Sequence, residues 1–305
     1  MNRAKTTNLL FQLTTFGAAI LIVILIVGML LTLLHESWPA VRRFGFFDFL
    51  LGRRWNYADN LYGAFRPLAG TVISTALALA AAVPVALGTA LFLTELCPHR
   101  LRGIIGAAIE LLAAIPSIIY GMWGLFALAP FLENHFQPLA AAGPGRLPLI
   151  GSFFQSQYAG GVNLFTASMV LAIMILPFIT SITREAFKQV PPILKESSYG
   201  VGATRWETIW QVVLPCTKST VAGGVIIAMG RALGETMAVA YVIGNRHGAL
   251  DSIFSPYSTI TSVMANEFNE AAGLQMSSLF TLALMLLAAN FLVLSLAKYL
   301  LRPRI

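Results

Sequence analysis

Long apolar runs alternate with short polar intervals along the whole chain. Residues 10–34 carry no charged side chain, and further apolar runs cover about 68–93, 104–131, 162–183, 218–243 and 277–301. Each has the roughly 20 residues an α-helix needs to cross a bilayer. The pattern predicts an all-α polytopic membrane protein of six transmembrane helices. The first run is longer than the apolar core of a cleavable signal peptide and leads directly into His35-Glu36-Ser37-Trp38-Pro39, so it reads as an uncleaved span. Pro84, Pro116 and Pro177 fall inside the second, third and fourth runs, where each is expected to kink a helix. Of the intervals, 35–66 reads as an aromatic-rich loop at the membrane interface. Residues 133–161 read as an irregular loop with Pro138, Pro144 and Pro148, and 244–276 as another polar loop.

The interval from Arg184 to Pro215 breaks the apolar pattern most strongly. Arg184, Lys188, Lys195 and Arg205 alternate with Glu185, Glu196 and Glu207. These charges would each cost several kcal/mol in hydrocarbon, so the interval must lie in water. Apolar residues persist between the charges, among them Ile193, Leu194, Tyr199, Trp206 and Trp210. Such a mixture suits short amphipathic helices that present a face to a partner. One helix is expected to run to about Tyr199, with a sharp turn at Gly200 and Gly202. A second is expected to start near Thr204, an N-cap with Glu207 three residues on.

Composition agrees with this class. Hydrophobic residues make up 57% and charged residues 11% of the chain, and the mean hydropathy is +0.76. Soluble domains carry about 25% charged residues. The net charge of +7 calls for no nucleic acid, because cytoplasmic loops of membrane proteins hold excess Lys and Arg. With the N-terminus inside, twelve Lys and Arg side chains, Arg302 and Arg304 among them, fall on inner segments. Seven, including Arg146, fall on outer ones, five of them within 35–66. That bias favours both termini inside and puts 184–215 on the cytoplasmic side. Cys97 and Cys216 lie in or beside inner loops, where a disulfide is not expected. No G-x-x-x-x-G-K-[ST] motif is present, so any ATP must be bound by another chain. The four histidines are scattered and no H-E-x-x-H cluster occurs, so no metal, cofactor or catalytic residue is assigned.

The fifth run contains Arg231 near its middle and Glu235 four residues on, which places them on one face of a continuous helix. An Arg facing lipid there would cost about 2.5–3.5 kcal/mol, so the pair must face the bundle interior or a water-filled path. Two readings compete. In one, the charges neutralise each other and lock packing. In the other, Arg231 receives a translocating anion through its planar fork while Glu235 orients the guanidinium. Protonation of Glu235 is a further open alternative. Gly230 and Gly234 form a G-x-x-x-G expected to admit a neighbouring helix.

Glu196-Ser197-Ser198, then Gly202, a nine-residue gap and Val212-x-Leu214-Pro215 resembles the EAA loop of ABC importer permeases, with Ser for both Ala and Val for Ile. The run Gly230–Asn245 (GRALGETMAVAYVIGN) resembles the fifth span of phosphate-specific permeases of the PstC type. Ala113–Leu125 (AAIPSIIYGMWGL) and Pro67–Glu95 resemble the third and second. The resemblance covers about 67–300. It implies a permease domain of type I ABC importer architecture there, preceded by an N-terminal span and extracytoplasmic loop over 1–66. It implies a multi-pass protein of the bacterial inner membrane that pairs with a sister permease of the PstA type. A cytoplasmic ATPase dimer would bind ATP and Mg, and an extracytoplasmic phosphate-binding protein would deliver the anion. Glu196, Ser197, Ser198, Gly202, Val212, Leu214 and Pro215 would shape the ATPase-coupling element, and Arg231 and Glu235 the substrate pathway. The alternatives are the same architecture carrying sulfate, molybdate or a phosphonate, a secondary transporter using Glu235 as a proton site, an intramembrane enzyme, and a membrane scaffold or sensor. Glu110 and Arg184 are minor candidates, expected near the cytoplasmic ends of their spans.

Overall fold

The computed structural model describes residues 2–143, 145, 151–155, 158 and 160–300. Arg146, Pro144, Pro148, Arg302 and Arg304, invoked above, lie outside the described residues. In chain order the helices are α1 (Asn2–Phe44), α2 (Phe46–Leu51), α3 (Phe65–Leu91), α4 (His99–Ala113), α5 (Ser117–Trp123), α6 (Ala129–Phe131), α7 (Gln137–Ala142) and α8 (Gly151–Phe154). They continue with α9 (Leu164–Lys188), α10 (Pro192–Gly200), α11 (Arg205–Thr208), α12 (Leu214–Leu233), α13 (Met237–Val242), α14 (Ile260–Glu267) and α15 (Leu274–Leu300). Single π turns extend or join several of them, at Phe92–Leu96, Gly124–Leu128, Leu132–Phe136 and Ile209–Val213. Among the described residues, five helices are long and apolar enough to cross a membrane. A sixth candidate is the pair His99–Ala113 and Ser117–Ala142, bent by 91°.

α9 is the centre of the bundle. Its first turn is capped by Asn163, whose side chain accepts from the Thr166 amide at 3.0 Å. Its buried Ile175 and Ile179 pack in one core with Ala78, Ala82 and Ala86 of α3. Those alanines recur every fourth residue, so one face of α3 is small and α9 can approach closely. α12 and α4 also pack on α9. α1 stands apart and lies against α15, where Ser277 Oγ donates to the Glu36 carbonyl at 2.7 Å and accepts from the Ala40 amide at 2.9 Å. Most described apolar side chains between Leu10 and Leu31 are exposed, as a lipid-facing helix requires.

Several expectations need correction. The first third of 35–66 is helical, because α1 runs through Pro39 to Phe44. The rest is not a loose interfacial loop: Phe49, Trp55 and Tyr62 are buried with Ile260, Val263 and Leu279. The third span is not one helix. It stops at Ala113 and restarts at Ser117, because Pro116 lacks an amide hydrogen and disfavours helix in the residue before it. Pro84 and Pro177, by contrast, sit within the unbroken α3 and α9. The fifth span also breaks: α12 ends at Leu233 with Gly234 as its C-cap, and α13 begins at Met237. Gly is a weak helix former and a frequent terminator. The interval 244–276 carries α14 and the start of α15.

Candidate functional site

The two broken spans meet. α5, which follows the break at Pro116, packs on α13, which follows the break at Gly234. Contact is by backbone: a Cβ at Gly121 would stand 3.0 Å from Ala238 Cα and 3.2 Å from the Met237 carbonyl oxygen. A side chain there must push two helices apart, at a cost of about 1–3 kcal/mol. Gly121→Val is therefore expected to lower the thermal unfolding midpoint of the detergent-solubilised protein by several degrees. An unchanged midpoint would show that the two segments are not closely packed.

The break in the fifth span exposes carbonyls, and nearby hydroxyls meet them. Thr261 Oγ1 of α14 donates to the Glu235 carbonyl at 2.8 Å, and Thr236 Oγ1 to that of Gly234 at 3.3 Å. Arg231 occupies the last turn of α12, where a cation complements the negative end of the helix dipole. It stands about 20 Å along the helix from Lys218, well inside an apolar slab of about 30 Å. Its guanidinium lies 5.9 Å from the centre of the Phe178 ring. The expected pairing of Arg231 with Glu235 does not occur: no ion pair joins them. The four-residue spacing places two residues on one face only while the helix continues, and this helix ends between them. Glu235, just before the Thr236 N-cap, instead accepts from the Ala238 amide in the first turn of α13 at 3.3 Å. Gly230 faces Leu294 of α15, with a Cβ at ordinary contact distance of 3.5 Å, whereas Gly234 ends the helix. The two glycines therefore do not form one packing edge.

The charged interval folds as a helical hairpin, α10–α11. Thr204 caps α11, and the reciprocal contact is made: Glu207 Oε2 accepts from the Thr204 amide at 2.7 Å. That amide and the Thr204 hydroxyl hold the Glu207 carboxyl below its ordinary value. Gly202 turns the chain at φ +90°. Ser198 shares a 2.9 Å hydrogen bond with Thr208 across the hairpin, and Ser197 donates to the Ile193 carbonyl at 2.7 Å. A larger residue at Ser198 would lose the bond between the arms, whereas Ser197 is exposed and bonds only within α10. Val212 and Leu214 pack on the buried cluster of Phe187, Val190 and Val213, and Pro215 lies in the first turn of α12. Lys195 bonds Glu95 at 2.6 Å and ties α10 to the π turn after α3. Glu196 is exposed at the surface of α10. Ile193, Tyr199, Trp206 and Trp210 are exposed, and Val201 at the tip is 88% exposed. The hairpin thus presents a cluster of exposed apolar side chains at the polar end of the bundle.

At the opposite end a second polar cluster had no sequence signal. Trp55 Nε1 donates to both oxygens of Glu267 at 3.0 and 2.9 Å. Gln275 Nε2 donates to the same carboxylate at 2.8 Å, and His247 Nε2 lies 3.0 Å from it. These residues line a cavity of about 570 Å³. Burial pushes the Glu267 carboxyl up, but the hydrogen bonds from His247, Trp55 and Gln275 and the His247 charge outweigh it, so its value is lowered. A lowered folded-state value contributes stability above the unfolded value and loses it as pH falls through the folded one. Stability from this cluster is accordingly expected to persist at neutral pH and to fade below about pH 4.5. Glu267→Gln should remove about 1–3 kcal/mol at pH 7 and flatten that acid limb. Thermal unfolding of wild type and variant across pH 3.5–7 checks this, and identical curves would contradict it.

Residues 82–305 match the family described as binding-protein-dependent transport system inner membrane component. A phosphate transport system permease protein PstC of Mesorhizobium japonicum is 51% identical over 99% of this chain and 92% of its own length. One of Haemophilus influenzae is 49% identical over 95% and 91%. Among solved structures, a bacterial ABC transporter for import of the acidic polysaccharide alginate matches 98% of this chain and 97% of its own with a TM-score of 0.65 at 16% identity. The inward-facing MetNI methionine ABC transporter matches 77% and 91% with a TM-score of 0.53 at 16% identity. These two speak for the fold: an ABC importer permease.

Proposed function

The chain belongs to the binding-protein-dependent transport system inner membrane components, and from that membership we propose how its parts divide the work of moving an anion. It is a transmembrane permease subunit of an ABC importer for inorganic phosphate, a multi-pass protein of the inner membrane. The α10–α11 hairpin lies on the cytoplasmic side, with both chain termini, and docks on a separate ATPase dimer that binds ATP and Mg. A sister permease of the PstA type completes the pathway. An extracytoplasmic phosphate-binding protein delivers the anion at the end that carries Glu267. The near-full-length similarity to phosphate permeases carries the substrate assignment.

Arg231 is the residue that meets phosphate. Phosphate carries between one and two negative charges near neutral pH, and a guanidinium fork accepts it through two parallel charge-assisted hydrogen bonds. Glu235 serves the pathway differently from a partner of Arg231: it takes the Ala238 amide in the first turn of α13 and so steadies the break that leaves Arg231 at a helix end. Import works against an interior-negative potential of about 2.3 kcal/mol per charge per 100 mV, and ATP hydrolysis supplies that work. Closure of the ATPase dimer would pull on the hairpin, whose coupling residues Glu196, Ser197, Ser198 and Gly202 shape the contact. Val212, Leu214 and Pro215 would transmit the motion into α12. Proteoliposomes holding the complete complex test this: phosphate entry should require ATP on the hairpin side. Entry driven by a proton gradient with no ATP would make the chain a secondary transporter instead.

A further inference from the structure

At the end of the bundle that carries the α10–α11 hairpin, a cavity of about 420 Å³ opens between the first turns of α4 and the last turns of α9. His99, Arg102, Glu110, Arg184 and Lys188 line it. The acids there are already engaged. Glu110 takes Arg184 Nη2 at 2.9 Å, and Glu185 takes the same atom at 3.3 Å and Lys188 Nζ at 2.8 Å. The guanidinium of Arg184 crosses α4 directly over Gly106, where a Cβ would collide with Nη1. Arg102 spends Nη2 on the Thr94 and Cys97 carbonyls at 2.8 and 3.4 Å. The Nε atoms of both arginines are buried and have no acceptor. A charged donor left without a partner costs more than about 1–3 kcal/mol. The N-cap of α4, Pro98, offers no side-chain acceptor either, so the positive end of that helix adds to the field.

We infer that this cavity is a second anion site, built for a phosphate-type oxyanion at the cytoplasmic edge of the bundle. It is separate from Arg231, since Arg102 stands about 16 Å down α4 from the break at Pro116. The ligand chemistry has two sources, the phosphodiester headgroup of an acidic lipid and free inorganic phosphate. Binding experiments on the intact complex in detergent separate them and do not depend on transport. In one arm, native mass spectrometry follows titration with phosphatidylglycerol against phosphatidylcholine. In the other, equilibrium dialysis follows labelled inorganic phosphate in the absence of lipid. The double variant His99→Gln/Lys188→Gln removes the Lys188 charge and the His99 ring from the rim and leaves the Arg184–Glu110 pair intact. It is expected to weaken binding about tenfold in one arm. Gly106→Ala, which displaces Arg184, should weaken the same arm, and both cavity variants should cause the same loss in an Arg231→Gln background. Equal binding by wild type and both cavity variants in the two arms would overturn the site. So would phosphate binding lost only with Arg231→Gln.

Discussion

Arg231→Gln is expected to reduce phosphate uptake by about 100-fold or more while the complex still assembles. Each hydrogen bond between a charged group and an anion is worth about 1.5–3 kcal/mol, and the guanidinium fork makes two. Glutamine keeps a polar amide on a shorter stem but neither the charge nor the fork. Assembly survives because Arg231 is not the partner of a buried carboxylate. Removing it strands no charge on Glu235, whose side chain is bound to the Ala238 amide. What the fold loses is the contact with Phe178, worth about 0.5–1 kcal/mol at an exposed site. Arg231→Lys should fall between the two, since an ammonium retains the charge without the planar fork. Uptake assays beside co-purification of the partner subunits check both variants. Normal uptake by Arg231→Gln would make the residue a structural one.

Gly202→Val should uncouple transport from ATP hydrolysis. No atom stands within 4 Å of a Cβ placed at Gly202, so the obstacle is not steric. It is the backbone, held at φ +90°, a conformation that costs other residues about 1–3 kcal/mol and β-branched ones most. With 1.4 kcal/mol to a factor of ten, the hairpin geometry would be depopulated by about 5- to 100-fold, and substrate-stimulated ATP turnover should fall in proportion. Gly202→Asn should lose much less, because Asn enters the left-handed region more readily. That order separates a conformational role from loss of a contact. Wild-type turnover in the valine variant would remove Gly202 from the coupling element.

The hairpin was legible in the sequence because its determinants are local. Gly202, Thr204 and Glu207 lie within six residues of one another, and their turn, cap and box geometry follows from backbone preference alone. The broken spans were not. Hydropathy counts apolar residues and does not register a three-residue interruption, and Pro116 looks no different from Pro84 and Pro177, through which helices continue. The pairing of Arg231 with Glu235 failed for the same reason, since it assumed a helix that Gly234 ends. The Glu267 cluster leaves no local pattern at all, because Trp55 and Glu267 are 212 residues apart in the chain and meet only when α14 folds back beside α3.

The central claim is that this permease carries phosphate. Its most direct test is uptake of labelled phosphate by cells that lack their own phosphate importers and express this chain with its permease, ATPase and binding-protein partners. Excess sulfate or molybdate is added in parallel. ATPase-dependent uptake that ignores both competitors is the predicted result. An assembled complex that takes up no phosphate, or whose uptake sulfate or molybdate suppresses, would contradict the claim.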